Sequence, residues 1–206
     1  MKLLLLAGAV ALSGATFAQT LSTTTPNNGS GGIFLDLTAS SQALSILSFD
    51  TYFSSVAGTG VQVEVYTRPG TFVGFTTANT GWTLTQTASA TSAGTATLAN
   101  LNLTSALSVG SGSTLGVYLH AITVGGGIRY TGTAAIPPQT TWNDANLTLF
   151  SNVARTGAVA FAGTANTPRV FAGNVNYAPV PEPATMAVLG LGVAALARRR
   201  KSAKKA

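Results

Sequence analysis

The sequence predicts an all-β chain, an antiparallel β-sandwich of jelly-roll type, on three observations. Val61-Gln62-Val63-Glu64-Val65-Tyr66-Thr67 alternates strictly, with three valines on one face and Gln62, Glu64 and Tyr66 on the other. Period two is the spacing at which successive strand side chains change faces. Short stretches of this kind recur, separated by Gly, Ser, Pro and Asn clusters at intervals of about 8 to 15 residues. Before the C-terminal region no segment shows helical periodicity with caps. About eight or nine short strands with such punctuation favour an antiparallel sandwich.

The elements follow in order. Residues 19–32 are rich in Ser, Thr, Asn and Gly and read as a flexible leader. The β domain is expected over 33–178, opening with Ile33-Phe34-Leu35-Asp36-Leu37. Ala43 to Phe53 alternates Leu44 and Ile46 against Leu47 and Phe49. After Val61–Thr67, Arg68-Pro69-Gly70-Thr71 reads as a turn, with proline where φ is preset and glycine behind it. Trp82 to Gln86 and Ala96 to Leu103 are strand candidates, and Ser108 to Thr114 is a Gly/Ser turn. Leu115 to Ala121 is apolar enough to be buried. Gly125-Gly126-Gly127 turns the chain into Ile128 to Thr131; Asn146 to Phe150 and Val170 to Tyr177 complete the set.

The two ends read differently from the middle. Lys2, the apolar run Leu3 to Leu12 and the small residues to Ala18 make a secretory signal peptide over 1–18, cleaved between Ala18 and Gln19, with Ala15 as a rival site. At the other end, residues 179–206 contain Pro181-Glu182-Pro183, an uncharged run Ala184 to Ala197, and the basic cluster Arg198, Arg199, Arg200, Lys201. Two prolines keep the tripeptide extended and accessible. The run, as a helix, would span about 21 Å at 1.5 Å per residue, marginal against a hydrocarbon core of about 30 Å. The basic flank marks its cytoplasmic side and orients the segment with its C-terminus inside. A short tail anchor that is never cut is the alternative.

Charge has to be counted without these ends. The chain carries net charge +6. Between Gln19 and Val180, however, the cations are Arg68, Arg129, Arg155 and Arg169 and the anions Asp36, Asp50, Glu64 and Asp144. That balance excludes nucleic acid as a partner. Cysteine is absent, so the core must hold the fold without disulfides. A Thr-, Ser- and Gly-rich chain without lysine between the two ends suits life outside the cell.

The tail closely resembles the PEP-CTERM sorting signal of bacterial surface proteins: tripeptide, apolar run and arginine cluster in terminal position. The resemblance implies that Pro181, Glu182 and Pro183 are recognised by exosortase, a membrane-embedded cysteine-protease-like enzyme. It also implies that Arg198 to Lys201 stop transfer, so the membrane is a transient partner. In the domain, Phe34-Leu35-Asp36-Leu37, Val63 to Gly70, Gly81-Trp82-Thr83-Leu84, Gly116-Val117-Tyr118-Leu119 and Pro168 to Gly173 look like the ectodomain common in uncharacterised PEP-CTERM proteins. That likeness implies a β-sandwich and no established activity. The family's association with exopolysaccharide-producing bacteria implies a surface or extracellular-matrix (biofilm) role, structural or adhesive, with exopolysaccharide as a partner.

Candidate sites within the domain are sparse. His120 is the single histidine and stands in an apolar strand without a carboxylate near it in sequence. One histidine and no cysteine exclude the usual zinc sets, and no Gly-x-Ser-x-Gly elbow accompanies the many serines. No cofactor and no catalytic residue is assigned; the chain is expected not to be an enzyme, with a secreted hydrolase as a minor alternative. The four acids offer a glycosidase-type pair or calcium ligands only if the fold gathers them; an ion pair from Arg68 or Arg169 to Asp36 or Asp50 is the plainer expectation. Trp82 and Trp142, with Tyr66, Tyr118 and Tyr130, would make a sugar-stacking platform if exposed on one face, and a carbohydrate-binding module is therefore the alternative function. Asn102-Leu103-Thr104 and Asn146-Leu147-Thr148 match a glycosylation pattern.

Overall fold

Strict alternation does build strands. In the computed structural model, which describes residues 17–29, 31–132 and 138–181, Val61, Val63 and Val65 all face a dry core. The strands are β1 (Gln19–Ser22), β2 (Asn28–Gly29), β3 (Gly32–Ala39), β4 (Leu44–Thr51), β5 (Gly60–Pro69), β6 (Thr83–Thr91), β7 (Ala99–Val109) and β8 (Thr114–Ala121). They continue as β9 (Arg129–Thr131), β10 (Thr141–Asn143), β11 (Leu147–Phe150), β12 (Ala154–Arg155), β13 (Ala165–Asn166), β14 (Val170–Phe171) and β15 (Gly173–Pro179). No helix occurs among the described residues, and every pairing between strands is antiparallel. The signal-peptide body, Glu182, Pro183, the apolar run and Arg198 to Lys201 lie outside the described residues.

The sandwich expectation is corrected in one respect. The strands do not separate into two stacked sheets; they run β1-β15-β4-β7-β6-β5-β8-β3-β11-β10 in one rolled sheet, with a small sheet β14-β9-β2 beside it. Two seams make the roll. At β6–β7 the backbone register holds only at Ser89↔Asn102, and the Gln86 side chain bridges the rest. Its Oε1 accepts from Thr104 N at 2.6 Å and Ser105 N at 3.2 Å, and its Nε2 donates to Ser105 O at 2.8 Å. The amide of Gln86 thus replaces a missing ladder rung. At the free ends, Tyr177 Oη lies 2.8 Å from Gln19 Oε1 and 2.7 Å from Asp144 Oδ2, while Asn146 Nδ2 donates to Gln19 Oε1 at 2.9 Å. Side chains close what backbone pairing leaves open, so the sheet is barrel-like and nearly shut.

The leader expectation is also corrected. Gln19–Ser22 is an edge strand paired with β15, Gln19 opposite Tyr177, and it buries Leu21 in the core. Asn28–Gly29 pairs with β9. The polar composition of this segment fits an edge strand whose other residues face water.

The inner face gathers Ile33, Leu35 and Leu37 of β3, Ile46 and Phe49 of β4, and Val117 and Leu119 of β8 into the main core. Tyr177 is wholly buried at its end and is the pivot of the second seam. Tyr177→Phe keeps the ring and removes the hydroxyl that both Gln19 and Asp144 use. We expect a loss of about 0.5–1.5 kcal/mol, the net worth of an intramolecular hydrogen bond whose remaining partners can reach water, read from urea unfolding midpoints with an unchanged m-value.

Candidate functional site

Two neighbouring strands, β3 and β8, are buried on both faces, and β5 beside them is half-buried on its outer face; this places the site. Antiparallel register sets the outward side chains of β5, β8 and β3 in rows: Glu64 beside His120, Tyr66 beside Tyr118 beside Phe34, and Arg68 beside Gly116 beside Asp36. Two loops lie over these rows. Phe72 and Trp82 come from one and Phe161 from the other, forming a second aromatic cluster with Phe34 and Tyr118. Phe34 and Tyr118 stack at 4.0 Å, and Phe161 reaches Tyr118 at 4.9 Å and Tyr66 at 5.1 Å. Gly116 is required here: a Cβ on it would stand 2.8 Å from the Arg68 side chain and 3.0 Å from Gly70 O.

Buried polar side chains near this face anchor the covering loops. Asp36 accepts from Phe72 N at 2.8 Å and from the Thr71 hydroxyl. Burial pushes its carboxyl up from the ordinary range, and these bonds with nearby Arg68 pull it back only in part. Arg155, 8 % exposed, donates to the carbonyls of Phe161 and Gly163. The same loop turns through Phe161 at φ 62°, a region rarely adopted by a bulky residue. At Gly163, φ is +73° and a Cβ would meet Thr156 O at 1.4 Å.

Between the loops opens a cleft of about 610 Å³ lined by Glu64, Tyr66 and His120 together with Thr77, Asn79, Ile122 and residues 158–162. His120 is 1 % exposed. Its Nε2 donates to Gly157 O at 3.1 Å, and its Nδ1 stands 3.4 Å from Glu64 Oε2. Tyr66 Oη donates to the same Oε2 at 2.9 Å. Among the described residues no donor engages Glu64 Oε1. Burial first, and the Glu64 contact second, push the Tyr66 phenol up to about 12. Burial likewise raises Tyr118 and Tyr177 well above the ordinary phenol value.

The structure distributes the other sequence candidates. Trp82 is 9 % exposed, and its Nε1 donates to Phe75 O at 2.7 Å. Trp142 is half-buried against the main core and lines a separate recess with Thr23, Asn27 and Gln139. The two tryptophans therefore form no common platform, and Tyr118 and Tyr130 are buried as well. The arginine–aspartate bridges are replaced by other contacts. Arg68 donates to Thr71 O and lies 3.4 Å over the Phe75 ring, and Arg169 donates to Pro168 O at 2.7 Å. Asp50 instead accepts from Asn100 at 2.5 Å, Asn176 at 3.0 Å and Asn174 at 3.1 Å. Among the described residues no three His, Cys, Asp or Glu side chains gather as a cation site. Asn102 is exposed on β7, while Asn146 is engaged with Gln19. Ala18 is exposed and Gln19 opens β1. Sequence reasoning missed the pairing of His120 with Glu64, and it also missed Arg155 as the anchor of the second loop.

At the C-terminal end, Val180 N donates to Ala43 O at 2.7 Å, and Pro181 beyond it is exposed. Residues 179–201 match the family model of the PEP-CTERM protein-sorting motif. The motif implies export through a membrane-associated precursor and processing by exosortase. No curated protein and no solved structure matches the chain.

Two outcomes follow from this geometry. Folded protein holds Tyr66, Tyr118 and Tyr177 protonated at pH values where unfolded tyrosines ionise, so the unfolded state binds fewer protons there. Stability is therefore expected to fall as pH rises through about 10 towards 12, with delayed phenolate absorbance as the readout. Gly163→Ala forces a strained φ and a backbone clash, and a loss of about 2 kcal/mol or more is expected in thermal unfolding.

Proposed function

From the sorting motif at residues 179–201 as premise, we propose that this is an exosortase-processed surface or extracellular-matrix protein whose β domain is a structural or adhesive module, not an enzyme. The carrying observation is the position of the tripeptide. Among the described residues the last backbone hydrogen bond is made by Val180, and Pro181 is the next residue. A cut at or beyond Pro181 would leave every strand intact, so release from the membrane costs the fold nothing.

Composition supports an exterior role. The domain has few charges, and its acids are held by neutral donors such as Asn100, Asn174 and Asn176. The cleft supports binding over catalysis. It presents one carboxylate, whereas glycoside hydrolysis requires two flanking the bond. Its histidine spends Nε2 on the Gly157 carbonyl instead of a nucleophile. Exopolysaccharide is the matrix partner this reading names.

The test is the intact mass of the protein recovered from its native cells, with both termini mapped. A chain beginning at Gln19 and ending near Pro181 is expected, and Glu182→Ala should leave the tail attached and the protein in the membrane fraction. A wild-type chain found in the membrane with its C-terminus intact would make the tail a permanent anchor and end the processing reading.

A further inference from the structure

We propose that the cleft over β5 and β8 is a binding site for a pyranose ring, with Glu64 Oε1 as the acceptor for its hydroxyl groups. This names the ligand chemistry behind the adhesive reading, although the cleft argument does not depend on how the chain is delivered.

The first support is the state of the carboxylate. Tyr66 donates to Oε2 and His120 Nδ1 packs 3.4 Å from the same oxygen, while Oε1 has no donor among the described residues. An oriented carboxylate with one free oxygen is a preformed acceptor, and preorganisation is where affinity for small ligands comes from. The second is the buried histidine. Its Nδ1 is shielded from solvent, has no hydrogen-bond partner and points at Glu64. With Tyr66 and His120 both set against Oε2, the oxygen left open to a ligand hydroxyl is Oε1.

The walls complete the match. Thr77 and Asn79 supply a hydroxyl and an amide on the exposed loop, and Ile122 and Val159, 37 % and 67 % exposed, supply apolar surface. A pyranose carries hydroxyls around its edge and apolar C–H groups on its faces, and so fits a cleft with one wall of each kind. The volume of about 610 Å³ lies within the usual span for small-ligand clefts.

The experiment is saturation-transfer NMR on protein purified from its native cells, with methyl β-D-glucopyranoside, methyl β-D-galactopyranoside and methyl α-D-mannopyranoside as probes. Saturable binding of at least one is expected. Glu64→Gln and, independently, the exposed-loop variant Asn79→Ala should each weaken it, Glu64→Gln by about tenfold or more, and Trp142→Ala should leave it unchanged. The Asn79 variant keeps the test decisive if Glu64→Gln folds poorly. No transfer to any of the three sugars from wild-type protein overturns the proposal. Binding that survives both cleft variants but is lost in Trp142→Ala also overturns it, moving the sugar to the other recess while carbohydrate binding itself stands. Terminal mapping decides delivery separately, so the two readings fail on different measurements.

Discussion

Burial of the outer face of β3 and β8 is the constraint on which the rest of this structure depends. A strand in a half-buried sheet sends alternate side chains to water. Here the alternate side chains include Phe34 and Tyr118, too large and apolar to be left there, and two loops close over them while Tyr66 stays half-buried at the edge of the cover. Covering that face traps polar groups, and each must then find a partner. Asp36 bonds Thr71 and Phe72 of one loop; Arg155 and His120 bond the carbonyls of the other. The trapped polar groups thus become the ties that hold the cover down. The cleft is the gap between the two covers, and Glu64, half-exposed at its floor, is the point where the buried network meets solvent.

A second theme is closure by side chains. A rolled sheet that fails to complete its ladder leaves edges that invite pairing with other chains. This one leaves two gaps and fills them with amides, a phenol and a carboxylate: Gln86 across β6–β7, and Gln19, Asn146, Tyr177 and Asp144 between the ends. The abundance of Asn and Gln in a domain so poor in charge has this structural use. Amides donate and accept at once, so they can stand in for backbone without carrying the desolvation cost of an ion. Asp50 shows the same economy, its charge spread over three asparagine amides.

Legibility in the sequence followed the physics of each element. β5 and β8 could be read almost to their ends because period-two alternation and a continuous apolar run are local properties. β1 could not. Gln19-Thr20-Leu21-Ser22 is a strand only because β15 lies beside it, and Tyr177, which bonds Gln19, stands 158 residues away. Trp82 and Trp142 looked alike as residues and differ because one is carried inward by a covering loop onto Phe34 and Tyr118 and the other lies at the rim of the core. The site suffered most. His120 has no acid near it along the chain, and Glu64 is brought opposite it by the β5–β8 register.

By itself, the sequence determined the fold class, the strands with strong alternation, the near-neutral charge of the domain and the sorting motif at its end. These are written in composition, period and order, which do not depend on distant partners. Tertiary structure alone decided that the strands roll into one nearly closed sheet, which tryptophan is buried, and that Glu64, Tyr66 and His120 share a cleft. Those outcomes depend on strand register and loop cover. Both are set by contacts between residues far apart in the chain, and no local pattern encodes them.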